Sequence, residues 1–219
     1  MKKFIVVLSL LGLFLTSCGD MGKEAETKEA QKVEENTSTS TVLYTNLLPD
    51  SYVEWRASHL GGVSKRYGKV QISGAKAKVD QGKLVNAKAA INLNTLTVES
   101  FEEGSEQAPK LTAHLKSEDF FDVANYPTAL FELTAMDPMS GEYNAKVTGN
   151  LTIKGVTKSI SFPANVLITD NSIVVDSEPF TVDRNNWGLS YHRKGTPGVP
   201  VDYLISDDIG FTIHLKLGK

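Results

Sequence analysis

The chain has 219 residues, of which 41% are hydrophobic and 22% are charged, a composition typical of one globular domain with additional segments. Its formal net charge is −3, and no run of lysine or arginine follows the extreme N-terminus, so nucleic acid is not an expected partner. A single cysteine excludes a disulfide within the chain.

The first 17 residues have the layout of a signal peptide. Lys2 and Lys3 form a basic segment, and the apolar run from 4 to 15 is too short to span a bilayer as a permanent helix. Cys18 directly follows the small residues of the cleavage region, an order that resembles the lipobox of bacterial lipoproteins. The alternative is an ordinary signal peptide with an incidental cysteine. We expect 1–17 to be removed and Cys18 to be lipidated, which anchors the protein in the bacterial cell envelope, facing the periplasm or at the outer membrane.

Residues 19–41 are polar, rich in Glu and Lys, and end in Ser and Thr repeats. Such a segment has too few apolar side chains to form a core. The composition predicts that 18–41 comprise the lipidated cysteine and a disordered tether, followed by one domain over 42–219.

From residue 42 onward the apolar pattern has the period of two that is typical of β-strands. In the first strand Val53, Trp55, Ala57 and His59 share one face. Later strands are predicted near 67–72, 75–79, 85–93, 130–136, 143–155, 158–168, 172–176, 178–183 and 209–217. Short strands with Gly, Asn and Asp between them indicate an all-β sandwich or barrel. The small inward residues of the 85–93 strand favour an enclosed cavity, unless facing strands fill the space.

A short helix-like stretch begins at Leu111 and precedes Phe120 and Phe121. The Tyr126-Pro127 step ends any helix, because proline disfavours the α region for the residue before it. The adjacent phenylalanines are both buried if this stretch lies across the mouth of a cavity. An ordinary helix that plugs a filled core is the alternative.

The sequence shows no catalytic arrangement. The four histidines, His59, His114, His192 and His214, are not at metal-ligand spacing, and there is no nucleophile elbow or phosphate loop. We expect no enzyme activity, no metal and no cofactor. His59 is either a polar contact for a ligand or a hydrogen-bonded interior histidine.

Several motifs occur in an order that resembles one family. They are Asp50-Ser51-x-Val53-x-Trp55, His114-Leu115-Lys116-Ser117-x-Asp119-Phe120-Phe121-Asp122, Tyr126-Pro127 with Phe131, 149–157 (GNLTIKGVT) and Asp183-Arg184-x-x-Trp187-Gly188-Leu189. Over about 43–217 the chain resembles the YceI family. The resemblance implies a lipocalin-like, eight-stranded antiparallel barrel with a short helix near one end. It also implies a periplasmic or secreted binder of polyisoprenoids or quinone tails, and it leaves a homodimer open because family members often occur as dimers. The segments 98–110 and 193–204 depart from the family pattern.

The expected ligand-binding residues are the inward-facing apolar side chains, the phenylalanine pair and two polar groups. They are Val53, Trp55, Ala57, His59, Ala87, Ala89, Ile91, Phe120, Phe121, Phe131, Leu133, Phe162, Arg184 and Phe211. Each apolar residue is alternatively plain core, and Arg184 either meets a lipid head group or holds a strand end by hydrogen bonds.

The function that this pattern indicates is an anchored carrier or reservoir for an isoprenoid lipid, either a polyisoprenoid or a prenyl quinone. The alternative is a structural or protein-interaction lipoprotein whose barrel is filled. A hydrolase is not supported, because the sequence contains no recognisable nucleophile and base pair.

Overall fold

The computed structural model describes residues 21–34, 38 and 40–219. The predicted signal peptide and Cys18 lie outside these residues. The described part contains one α-helix, α1, at Gln107–Lys116, and short 3₁₀ turns at Leu60–Gly62, Leu93–Thr95, Arg184–Trp187 and Val201–Tyr203. Its strands are β1 (Lys23–Glu24), β2 (Glu26–Glu29), β3 (Val42–Tyr44), β4 (Asn46–Leu47), β5 (Tyr52–Ala57), β6 (Arg66–Asp80), β7 (Lys83–Asn92), β8 (Thr128–Pro138), β9 (Ala145–Ile153), β10 (Val156–Ile168), β11 (Ser172–Ser177), β12 (Phe180–Asp183) and β13 (Asp208–Gly218).

Eight antiparallel strands close into a barrel. Pairing runs from β5 through β6, β7, β8, β9, β10 and β11 to β13, and β13 pairs back to β5. Alternate residues of each strand face inward, and the apolar ones form the core. The prediction of an all-β, eight-stranded barrel with a short helix near one end is confirmed.

The strand between β10 and β13 is interrupted, and the N-terminal segment fills the resulting gap. β11 pairs with β10 only over residues 164–168. The next strand, β12, pairs with β13 but not with β10, so one edge of each of β10 and β12 is left open to other strands. There β1 pairs in parallel with β12, and β2 pairs antiparallel with residues 158–161 of β10. Ala25, between β1 and β2, is buried. The prediction of a disordered tether is therefore wrong for residues 21–34. These residues have too few apolar side chains to form a core, but the free edges of β10 and β12 supply hydrogen-bond partners for their backbone.

After β2 the segment crosses the outer face of the barrel. The side chain of Asn150 on β9 accepts from the Gln31 backbone N–H at 2.8 Å and donates to the Gln31 carbonyl at 2.7 Å. Further along, Asn86 on β7 donates to the Glu34 carbonyl at 2.8 Å. Polar outward side chains of two different strands thus hold a sequence that has almost no apolar residues of its own.

Two predicted element boundaries are wrong. The strands predicted at 67–72 and 75–79 are one strand, β6, because a bulge between Ile72 and Gly74 lets the ladder continue past a Ser-Gly step. Helix α1 begins at Gln107, one turn earlier than predicted, with Pro109 in its first turn. A proline there costs no intrahelical hydrogen bond, since those N–H groups have no partner in the helix. In the part of the chain that the structure describes, no helix has the length and apolarity needed to cross a membrane.

Candidate functional site

The barrel interior contains three cavities in a row. The mouth cavity lies beside α1 and has a volume of about 100 Å³, while the middle and deep cavities each have a volume of about 90 Å³. Trp55 and Phe121 border both the mouth and the middle cavities. Val53, Ile91, Phe131 and Ile213 border both the middle and the deep cavities. These shared walls place the three cavities along one line through the barrel.

The row of cavities is long. Ile209 of β13 borders the mouth cavity and Leu217 of the same strand borders the deep cavity. Eight residues separate them, which corresponds to about 27 Å along the strand. With the usual tilt of barrel strands this becomes roughly 20 Å along the barrel axis.

The far end of the barrel is closed. Tyr44 on β3 is 2% exposed and packs with Ala77, Val79, Ile173 and Leu217. Its hydroxyl donates to the Thr169 carbonyl at 2.6 Å. Since three of these neighbours also line the deep cavity, the Tyr44 cluster forms the floor of the row.

The cavity walls differ in polarity along the row. Every residue that lines the middle cavity is apolar, and the deep cavity is lined by apolar residues together with Lys76 and Lys88. Polar side chains line the mouth cavity, where Ser58, His59, Arg66 and Arg184 contribute. The site therefore has an apolar interior with polar groups at one end, which suits a molecule with a long apolar tail and a small polar head.

Every residue predicted from the sequence to contact a ligand borders one of the three cavities. Ala57, His59, Phe120 and Arg184 line the mouth cavity, Trp55 and Phe121 line the mouth and middle cavities, and Phe211 lines the middle cavity. Val53, Ile91 and Phe131 line the middle and deep cavities, and Ala87, Ala89, Leu133 and Phe162 line the deep cavity. The structure thus brings them together along one path, and contact with a ligand stays a prediction.

The phenylalanine pair lies in the turn that follows α1, not on the helix itself. Phe120 is buried and Phe121 is half-buried. The ring of Phe120 packs at 5.1 Å from His114 of α1 and at 5.3 Å from Tyr191, measured between ring centroids. The His114 Nε2 atom is 3.0 Å from a carboxylate oxygen of Asp119. This aromatic cluster fixes the turn beside the mouth cavity and places Phe121 deeper, where two cavities meet.

A row of four phenylalanines crosses the wall of the middle and deep cavities. The ring centroids of Phe131 and Phe162 are 5.9 Å apart, those of Phe162 and Phe180 are 4.6 Å apart, and those of Phe180 and Phe211 are 6.0 Å apart. Gly149 makes room for this row, since a Cβ atom there would lie 2.2 Å from Cζ of Phe131. The small residue on β9 is thus a packing requirement of the aromatic wall.

Arg184 is 1% exposed and is committed to backbone carbonyls. Its Nε donates to the Ser206 carbonyl at 2.9 Å, one terminal nitrogen donates to the Leu189 carbonyl, and the other donates to the Ile205 carbonyl at 3.3 Å. A carboxylate oxygen of Asp207 lies 3.6 Å away. Burial lowers the pKa of the guanidinium, and the neighbouring Asp207 carboxylate opposes that shift. Of the two roles considered from the sequence, these contacts support the structural one.

His59 is a better candidate for contact with a polar head group. Its Nδ1 is 2.7 Å from the Asp202 carbonyl oxygen, which can only accept, so Nδ1 carries the proton in the neutral ring. The Nε2 atom is then an acceptor. A ligand hydroxyl at the mouth could donate to it.

A group of carboxylates lies where β1 meets β12 and β13. Asp208 is exposed, and its pKa is raised first by partial desolvation and then by the negative charges of Glu24, Asp183 and Asp207. Among the residues that the structure describes, no group of histidine, cysteine or carboxylate side chains is arranged to hold a metal ion.

Several lining residues were not predicted from the sequence. Phe180, Val70 and Leu96 border the middle cavity, as do Leu151 and Ile153 of β9. The alternation of β9 could have identified Leu151 and Ile153, because they share a face with Val147. Nothing in the alternation identifies Leu96, which follows a 3₁₀ turn.

Comparison with known proteins agrees with this architecture. The family model of the YceI-like domain matches residues 44–217. A UPF0312 protein of Pseudomonas putida (strain W619) is 35% identical over 114 residues, which cover 52% of this chain and 55% of that protein. A UPF0312 protein of Azotobacter vinelandii is 32% identical over 117 residues, which cover 53% of this chain and 57% of that protein. The chain thus spans about half the length of the curated relatives it matches.

Two solved structures share the fold. BcnA of Burkholderia cenocepacia superposes with a TM-score of 0.55 at 22% identity, covering 76% of this chain and 95% of that chain. A polyisoprenoid-binding domain from Saccharophagus degradans superposes with a TM-score of 0.55 at 16% identity, covering 81% of this chain and 99% of that chain. At these identities the likeness is one of fold.

Proposed function

This chain belongs to the YceI-like family, and from that premise we propose that it binds a long isoprenoid-type lipid inside its barrel. The observation that carries the proposal is the row of three cavities with an apolar interior, a closed floor and polar groups at the mouth. The solved domain of the same fold that is described as polyisoprenoid-binding supports the choice of ligand.

The length of the row sets an expectation for the ligand. An extended prenyl repeat spans roughly 5 Å, from four carbon–carbon bonds of about 1.5 Å each. About four repeats therefore fit along a row of roughly 20 Å, with the polar head at the mouth beside His59. Longer chains gain no further buried area, so their affinity reaches a plateau.

A lipid that enters the row of cavities meets side chains that lie between neighbouring cavities. Phe131 and Ile91 border both the middle and the deep cavities, so they would have to change rotamer to admit a chain. Burial of apolar surface contributes about 25 cal/mol per Å² before ordering costs. The alternative, a filled barrel that serves as a structural or protein-interaction module, is favoured by the modest volume of each cavity. The lipid-binding barrel and the filled barrel differ in whether the side chains between the cavities can move apart to admit a ligand.

A substitution in the deep cavity tests the binding proposal. Ala89 lines the deep cavity and Ala90, the next residue of β7, is not among its lining residues. Ala89→Phe fills the deep cavity near its boundary with the middle cavity, whereas Ala90→Phe places the same ring on the opposite face of the strand. Titration with prenyl alcohols of increasing length, followed by tryptophan fluorescence, to which the cavity-lining Trp55 contributes, should show saturable binding for the parent protein and Ala90→Phe. Ala89→Phe should lose the gain in affinity from the distal repeats. Equal curves for all three proteins at every chain length would rule out the deep cavity as the binding site.

We further propose that the protein acts as a carrier or reservoir at the bacterial cell envelope, anchored by a lipid on Cys18. The sequence order of basic segment, apolar run and cysteine supports this. Because β1 begins at Lys23, only a few residues would separate the anchor from the barrel wall. Replacement of Cys18 by serine should move the protein from the membrane fraction to the soluble fraction and remove the lipid mass. Retention of both in the variant would refute the anchor.

A further inference from the structure

Two loops beside the mouth cavity carry large exposed apolar side chains. Val63 is 55% exposed in one loop, and Val201 and Tyr203 are 66% and 63% exposed in the other. Isolated exposed apolar residues are ordinary, but a group at one place on the surface indicates an interaction site. We name Val63, Val201 and Tyr203 the apolar rim.

Hydrogen bonds join the two loops into one unit. The Leu60 N–H donates to the Leu204 carbonyl at 2.8 Å, and the Ser206 N–H donates to the Ser58 carbonyl at 2.9 Å. His59 Nδ1 adds its contact with the Asp202 carbonyl at 2.7 Å. The apolar rim is therefore presented by paired loops rather than by two independent ones.

The same loops form the mouth of the barrel. His59, Arg66 and Ile205 line the mouth cavity, and each is within a few residues of a rim side chain. A molecule that leaves a bilayer between the rim residues would thus meet the polar mouth next and the apolar interior after it.

The charge of the loops differs in sign from that of the whole chain. Residues 60–67 and 190–204 contain four cationic side chains, Lys65, Arg66, Arg193 and Lys194, against one carboxylate, Asp202. The chain as a whole has a formal net charge of −3. Carboxylates outside these two ranges offset part of the positive charge. The Phe101 ring, in a segment with Glu99, Glu102 and Glu103, lies 4.5 Å from the Arg66 guanidinium carbon, and the Lys194 N–H donates to the Asp207 carboxylate at 3.4 Å. Arg193 and Lys194 are exposed.

We propose that the apolar rim docks the mouth of the barrel on an anionic phospholipid bilayer. Valine and tyrosine side chains of this kind insert at the level of the head groups, where an aromatic ring with a polar tip is favoured. Arg193 and Lys194 are attracted by the negative surface potential, and each such cation strengthens binding about fivefold. This inference rests on the proposed function, since it names the surface from which the lipid is taken.

An environment-sensitive probe tests the docking in residues 19–219, which keep every described strand and lack Cys18, so that no lipid anchor contributes to vesicle binding. Val201→Cys is labelled with a nitrobenzoxadiazole dye, and Leu167→Cys is labelled as the matched control, because Leu167 is 60% exposed and lies in the part of β10 remote from the mouth. Residues 19–219 contain no native cysteine, so the dye reports only from the substituted position. The vesicles are phosphatidylcholine with or without phosphatidylglycerol.

The expected result is a blue shift and quenching by brominated lipid for the probe at 201 on phosphatidylglycerol vesicles, and neither effect at 167. Arg193→Gln with Lys194→Gln should weaken that docking roughly 25-fold on the anionic vesicles, at about fivefold for each cation. A probe at 201 that behaves like the one at 167 overturns the proposal. A concentration-dependent blue shift without vesicles also overturns it, in favour of contact with a second copy of the chain.

A second measurement separates this inference from the proposed function. Val201→Ser with Tyr203→Ser changes no cavity-lining residue, so it should still bind a prenyl alcohol delivered from cyclodextrin while it loses docking. Docking without prenyl binding in the parent protein would support the rim and refute the proposed function. Prenyl binding without docking would support the proposed function and refute the role of the apolar rim.

Discussion

Replacement of Arg184 tests whether this buried cation holds the fold or serves the ligand. The guanidinium satisfies three carbonyl oxygens and lies 3.6 Å from Asp207. Arg184→Met keeps similar volume but leaves those acceptors and the carboxylate without their donor. Breaking a buried charged network by removal of one partner costs about 3–5 kcal/mol. Arg184→Lys keeps the charge but not the planar fork, so we expect an intermediate loss of about 2 kcal/mol.

Urea unfolding followed by tryptophan fluorescence measures both losses, because Trp187 is buried three residues from Arg184. If Arg184 has a structural role, the free energy of unfolding should be highest for the parent protein, lower for Arg184→Lys and lowest for Arg184→Met. It also predicts that folded Arg184→Lys still takes up prenyl lipid. If Arg184→Met unfolds within about 0.5 kcal/mol of the parent, in the range of ordinary surface substitutions, the structural assignment is refuted. A stable Lys variant that no longer binds lipid would support the head-group role instead.

Three further predictions concern packing, the N-terminal strands and pH. Gly149→Ala should lower the free energy of unfolding by about 2 kcal/mol, because the added Cβ meets the aromatic ring of Phe131. Gly74→Ala, whose Cβ would have no atom within 4 Å, should change it little. Equal effects of the two substitutions would contradict this packing requirement. Deletion through residue 29 should speed hydrogen exchange of backbone amides at 158–161, and unchanged exchange would show that β2 does not cover that edge. The raised pKa of Asp208 means that the folded state binds the proton more tightly, so its contribution to stability falls as pH rises. Asp208→Asn should therefore stabilise the protein at neutral pH and lose that advantage below about pH 4; a destabilised variant at pH 7 would refute the shift.

The barrel could be predicted from the sequence because most of its information is local. Strand alternation marks the inward face of β5 and β7, and it identified residues such as Val53 and Ala89 that do line the cavities. The period of two is a direct consequence of strand geometry, so it survives whatever the strand pairs with.

The N-terminal strands could not be predicted, because their partners are far away in the sequence. Residues 23–29 have no apolar face, and their order depends on the free edges of β10 and β12. Those edges exist only because the strand between β10 and β13 is broken. Composition describes what a segment can bury, but not which backbone edge it can join.

The site itself was predictable in type but not in arrangement. Alternation placed the correct side chains inward, yet the division into three cavities depends on how Phe131, Trp55 and Phe121 pack across the barrel. The hydrogen bonds of Arg184 to the carbonyls of Ile205 and Ser206, more than 20 residues away, likewise required the fold. Local sequence patterns do not predict contacts between segments that are far apart in the sequence.

The central claim is that the barrel holds a prenyl chain, and native mass spectrometry tests it most directly. Residues 19–219, which keep both N-terminal strands, are purified from a bacterial host without detergent and then extracted with organic solvent. We expect a co-purifying mass with a prenyl repeat for the parent protein and for Ala90→Phe, and its loss or shortening in Ala89→Phe. A ligand-free mass that stays unchanged after incubation with prenyl alcohols and prenyl quinones would contradict the account and indicate a filled barrel.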